Sequence, residues 1–147
     1  MVKKISTLVL SLLVCLGSFA QISNGARKAY ERAIDAYLEK DFETAHSELN
    51  KAENKSPNYA LVHFLRAQML QELGRDGLAL ESLKKGLEID DSEYPKGWFQ
   101  LAELCWGEGL YDDGKRAIES FKLSKAYDRF VADTTLQKHY VLSLIHI

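Results

Sequence analysis

Cysteine is almost absent from this sequence, and that scarcity excludes a stapled fold. Of the two cysteines, Cys15 stands in an N-terminal apolar stretch that reads as a removable leader, so Cys105 is left alone and cannot close an intramolecular disulfide. Proline is equally scarce: Pro57 and Pro95 are the whole supply, and long stretches can run as helix with no interior break. The four histidines, His46, His63, His139 and His146, include no pair four residues apart that would set two imidazoles on one helical face. No metal site and no cofactor are expected. Strong charge of one sign is missing too. A formal net charge of −2, with Lys84-Lys85 and Lys122 with Lys125 as the densest basic spots, is too little for a nucleic-acid stripe. One apolar run exists, Ile5 to Leu16, and it falls short of the roughly twenty residues that cross a bilayer as a helix.

That run has the grammar of a secretory signal peptide: Lys3 and Lys4 come first, then the apolar core, then Gly17-Ser18-Phe19-Ala20 with small residues before Gln21. Cleavage is expected after Ala20, with export across an inner membrane to the periplasm or the outer-membrane periphery. Lipoprotein processing at Cys15 fits poorly, because Val14 holds a position where a small side chain is wanted. Without the two leader lysines, 17 basic side chains face 21 acidic ones, a charge of −4 on the chain from Gln21. Charged residues at 27% and hydrophobic ones at 46% argue for one ordered globular domain.

Within that domain the residues repeat. Ala33, Lys40, Ala45, Leu49 and Ala52 are followed 34 residues later by Ala67, Gly74, Ala79, Leu83 and Gly86. Ala102, Gly109, Gly114, Ile118 and Phe121 follow after 35, the extra residue falling in the polar stretch Asp90 to Pro95. Inside each unit, apolar residues recur at three and four, as in Ala29, Ala33, Ala36 and Tyr37, then Phe42, Ala45, Leu49 and Ala52. Each unit is therefore a pair of amphipathic helices. The spacing predicts helices near 25–39, 42–55, 59–73, 76–88, 95–107 and 111–125, and a seventh from about 129 to 143. Ala33 opposite Ala45, Ala67 opposite Ala79 and Ala102 opposite Gly114 let the paired helices approach closely. Stacked pairs then bury one continuous core.

With its 34-residue helical hairpin, small residues near positions eight and twenty, glycine between the helices and a closing proline, the chain resembles the tetratricopeptide-repeat (TPR) family over about residues 26 to 125. Arg32 and Arg66 depart from that pattern where leucine is usual, and the second unit lacks its closing proline. The resemblance implies an all-α, right-handed solenoid of about three hairpins (26–59, 60–94, 95–128) plus a C-terminal helix over 129–147. It also implies a protein or peptide partner held on the concave face formed by the first helix of each hairpin. Mapped onto this sequence, that face holds Tyr30, Ile34, Tyr37, Phe64, Gln68, Gln71, Phe99, Glu103 and Trp106. The family's carboxylate clamp needs lysine and asparagine where this chain has Tyr30, Phe64 and Phe99, then Ile34, Gln68 and Glu103. An aromatic-lined groove for apolar side chains replaces it, with glutamines for the partner's backbone. The same rings also suit an internal core, and a last helix near Asp133 to Leu142 folding back would cover them. Both readings stand at this point.

Catalytic chemistry finds no constellation. Glu72 and Glu103 sit among many solvated carboxylates, and Cys105 beside Leu104 and Trp106 has no histidine in its hairpin to activate it. No enzyme activity and no small-molecule substrate are expected. The chain ends abruptly on the apolar Leu144-Ile145-His146-Ile147, as at the edge of a longer protein or a non-native tail. A leader followed by about three TPR hairpins is also similar to the start of gram-negative envelope proteins that continue into a β-propeller and an outer-membrane-protein-A-like domain. On that alternative the segment is an N-terminal docking platform of a larger outer-membrane-associated or secretion-system protein.

Overall fold

The structure is a computed structural model describing residues 21–132; the expected leader and the part of the expected last helix beyond residue 132 lie outside it. Among the described residues there are seven α-helices and no strand. They are α1 (Asn24–Leu38), α2 (Phe42–Lys55), α3 (Ala60–Glu72), α4 (Asp76–Asp90), α5 (Gly97–Gly107), α6 (Tyr111–Lys122) and α7 (Lys125–Ala132), with a 3₁₀ turn at Asp91–Glu93. They pack as successive hairpins, α1 on α2, α3 on α4 and α5 on α6, and each hairpin stacks on the next.

The turn inside each hairpin is built the same way three times. Lys40, Gly74 and Gly109, spaced by the repeat, are the residues with left-handed φ, at 62°, 66° and 76°. At each, the next amide reaches back five residues: Asp41 to the Ala36 carbonyl at 2.9 Å, Arg75 to Leu70 at 2.9 Å and Leu110 to Cys105 at 2.7 Å. This Schellman arrangement satisfies carbonyls that the ending helix would otherwise leave orphaned. Ser23 and Asp41 cap the helices that follow them, accepting from the Ala26 and Thr44 amides at 3.1 and 3.0 Å.

Small residues line each hairpin seam, as the repeat predicts. Ala33 and Ala45, Ala67 and Ala79, and Ala102 and Gly114 are all buried, while Leu49 and Leu83 fill the space toward the next hairpin. Full burial of each such leucine stabilises by about 1.5–3 kcal/mol. Helix α3 lies at the centre and is buried on several sides, through Val62, His63, Phe64, Leu65, Ala67, Met69 and Leu70. Its residues divide between two core clusters, one with the first hairpin and one with the third.

Two boundaries differ from the sequence expectation. Helix α4 runs on to Asp90, and Pro95 lies in the loop before α5, with Asp90 accepting from the Ser92 amide and hydroxyl at 3.0 and 2.6 Å. The break expected near 126–128 falls at Leu123–Ser124. There the Ser124 hydroxyl donates to the Phe121 carbonyl at 2.7 Å and accepts from the Tyr127 amide, which ends α6 and starts α7 without glycine or proline.

Candidate functional site

The first helices α1, α3 and α5 share one side of the stack, and the sequence-predicted residues separate there according to what lies beneath them. Tyr30 is half-buried, its ring 5.2 Å from that of Tyr59 and tilted by 54°. Burial, helped by Tyr59 and Glu93, pushes its phenol up to about 12. Phe64 is only 3% exposed and belongs to the core. Gly86 makes room for it: a Cβ at residue 86 would stand 2.5 Å from Phe64 Cε1. Tyr94 covers the ring from outside at 5.0 Å and accepts from Gln68 Nε2 at 3.2 Å. Phe99 meets Phe121 at 4.9 Å and lies beneath Phe130 of α7 at 5.9 Å. Trp106 rests over Gly114, where a Cβ would come within 2.6 Å of its Cδ1.

A single rule explains these placements. The residue of the second helix that faces the ring is Ala52, Gly86 or Phe121. Glycine admits Phe64 to the interior, whereas alanine and phenylalanine leave Tyr30 and Phe99 half-buried. Each ring is then covered by an aromatic that follows its own hairpin's second helix, Tyr59, Tyr94 or Phe130. These lie 29, 30 and 31 residues further on. The sequence reading missed these partners, although Tyr59 and Tyr94 are themselves 35 apart. Carrying the repeat into the stretches just ahead of α3 and α5 finds Tyr59 and Tyr94.

The same side continues at the junction of the first two hairpins. Ile34, Tyr37 and Gln71 are partly exposed there, and Glu72 is exposed. Tyr37 Oη donates to Glu72 Oε1 and Lys40 Nζ donates to Glu72 Oε2, tying α1 to α3. Burial and this hydrogen bond push the Tyr37 phenol up to about 12. The Lys40 ammonium also stands 5.3 Å from the Tyr37 ring centre. A cavity of about 400 Å³ beside Tyr59 carries Arg27, Asp90 and Glu93. Glu103, by contrast, is exposed on α5.

Elsewhere, Cys105 is buried and its thiol is pushed up by burial and by Asp113, the opposite of activation. Among the described residues no group of three or more histidine, cysteine or acidic side chains could hold a metal ion, and no helix is long and apolar enough to cross a membrane.

No family model and no curated protein matches the sequence. Solved structures do. The N-terminal domain of stress-induced protein-1 from C. elegans, a TPR-containing protein, superposes with a TM-score of 0.65 at 17% identity, over 81% of this chain and 94% of that one. The fold is that of a TPR solenoid. A point mutant of MamA, also TPR-containing, superposes with a TM-score of 0.55 at 19% identity over 71% of this chain and 76% of that chain. At such identities the likeness covers the course of the backbone alone.

Proposed function

We propose that this chain is an exported TPR scaffold that binds a protein or peptide segment on its first-helix side and carries no catalytic site. The observation that carries the reading is the junction of the first two hairpins. Tyr37 there is hydrogen-bonded to Glu72 and stands with the partly exposed Ile34 and Gln71, while Phe64 is buried and Phe99 is covered by Phe130. Tyr30, Tyr37, Tyr59 and Tyr94 give this stretch phenolic rings, each with an apolar body and a polar edge, suited to apolar side chains in an extended segment. Gln71 is placed to hydrogen-bond such a segment's backbone. Phe64 contributes by holding Tyr94 in place from below, and Phe99 by seating α7. Glu103 and Trp106 extend the proposed face onto the third hairpin.

A random-peptide display screen against the full chain tests the binding. Peptides selected by the parent should lose at least about tenfold in affinity, roughly 1.4 kcal/mol, for a Tyr37→Ala, Gln71→Ala double variant whose melting temperature stays within a few degrees. A screen that yields no binder, or binders indifferent to both substitutions, rejects the groove. Export is read separately, by N-terminal sequencing of the chain recovered from the periplasm of a gram-negative host; the expected first residue is Gln21.

A further inference from the structure

The two seams of the stack are built from different chemistry at corresponding positions. Between the second and third hairpins stand Leu80, Lys84, Leu87, Trp98, Leu101 and Ser120. One repeat earlier, between the first and second, the same places hold His46, Asn50, Glu53, His63, Arg66 and Lys85. His63 is 1% exposed. Its Nδ1 lies 3.2 Å from Arg66 Nη1, and a guanidinium only donates, so Nδ1 is the acceptor and the imidazole is neutral with its proton on Nε2. That Nε2 has no hydrogen-bond partner and lies 3.8 Å from Glu53 Oε1. Arg66 Nη2 donates to Asn50 Oδ1 at 3.0 Å and pairs with Glu53 Oε2 at 2.8 Å, tying α3 to α2. Lys85 Nζ reaches Glu53 Oε1 at 2.7 Å, tying α4 to α2. Each of these ties across the seam thus passes through Glu53 or Asn50 of α2.

We propose that this seam is a proton-operated joint: protonation of His63 loosens the first hairpin from the second and leaves the second seam, which has no histidine at these places, closed. A proton on Nδ1 would turn an accepted hydrogen bond into two N–H groups facing each other. The new charge would also stand among the Arg66 and Lys85 cations, and the Glu53 carboxylate, already paired with both, would offset that repulsion only in part. Burial already holds the imidazole down to about 4, against Glu53 and the Pro57 carbonyl and reinforced by Lys85 and Arg66. Because the closed-state value lies below the free value, the joint is fully stable above about pH 6.5 and weakens as the pH falls from there toward 4. At about pH 5 the opening equilibrium rises about thirtyfold. Ile34 and Tyr37 stand on the first hairpin and Gln71 and Glu72 on the second, so opening would also spread the proposed binding face; only that consequence rests on the functional reading.

Hydrogen exchange on the full chain, corrected for intrinsic rates and compared between about pH 7.5 and about pH 5, tests the joint without any partner. Amide protection in α1 and α2 should fall about tenfold or more at the lower pH, while α5 and α6 keep theirs. His63→Gln should abolish the difference between the two ends. Equal loss at both ends, no loss at either, or the same pattern in His63→Gln overturns the proposal. Should that variant unfold, titration of the His63 imidazole by NMR in the unaltered chain decides: a midpoint well below the free value of 6.5 that coincides with loss of protection supports the joint, and one at or above it overturns the joint. A closed joint in a chain that still binds peptides refutes only the joint, and an open one in a chain that binds none refutes only the groove.

Discussion

Gly74 and Gly77 stand three residues apart at the turn into α4, and a methyl group added to either meets nothing within 4 Å. Packing therefore drops out of the comparison, and the backbone alone decides the sign. Gly74 holds φ at 66°, where an alanine costs about 1–2 kcal/mol in the folded state. The narrower unfolded ensemble of alanine returns roughly 0.4–1 kcal/mol. The balance for Gly74→Ala is a loss of about 1 kcal/mol. Gly77 lies within α4 in ordinary helical conformation, so Gly77→Ala should stabilise by about 0.5–1 kcal/mol. Urea unfolding followed by far-UV circular dichroism, with a slope of about 2 kcal/mol per molar, converts these to a midpoint lowered by about 0.5 M and one raised by about 0.25–0.5 M. Shifts of the same sign would refute the conformational account of all three turns. Lys40 sharpens the case, since it takes the same backbone position without being glycine. Lys40→Gly relieves the strain but loses a solvent-screened ion pair with Glu72 and the stacking on Tyr37, so its midpoint should barely move.

Three further substitutions probe packing and charge. Phe64→Ala empties the space above Gly86 and should lose about 3–5 kcal/mol in thermal or urea melts; a parent-like melt would put the ring outside the core. Gly114→Ala drives a Cβ into the Trp106 ring and should cost about 1–3 kcal/mol with a red shift of tryptophan emission, whereas unchanged emission would mean that the ring does not lie there. Glu48 is held below the usual carboxylate range by its hydrogen bond from Lys51, against its burial, and by Arg32. Its contribution is present above about pH 4.5 and is lost as the pH falls, so Glu48→Gln should cost on the order of 1 kcal/mol at pH 7 and flatten the acid limb of stability against pH. Equal stability of variant and parent at pH 7 would dismiss those ion pairs.

Hairpins, period and turns follow from the order of the amino acids alone, because these depend on neighbours within a few residues. Alanine at 33, 45, 67, 79 and 102 allows close helices wherever the chain goes, and Gly74 and Gly109 supply a backbone angle that other residues resist. The Ser124 break escaped notice because a hydroxyl capping a short helix looks, in sequence, like any exposed serine. Which face residues are interior was settled by packing between hairpins. Whether Tyr30, Phe64 or Phe99 lies inside depends on Ala52, Gly86 or Phe121 across the hairpin and on Tyr59, Tyr94 or Phe130 beyond the hairpin's second helix. His63 shows the same dependence: in sequence it is a solitary histidine on a helix, and only the approach of α2 and α4 sets Glu53 and Lys85 around it. Burial and charge at such positions are properties of pairs distant in the chain, so the period names the positions and the packed stack assigns their chemistry.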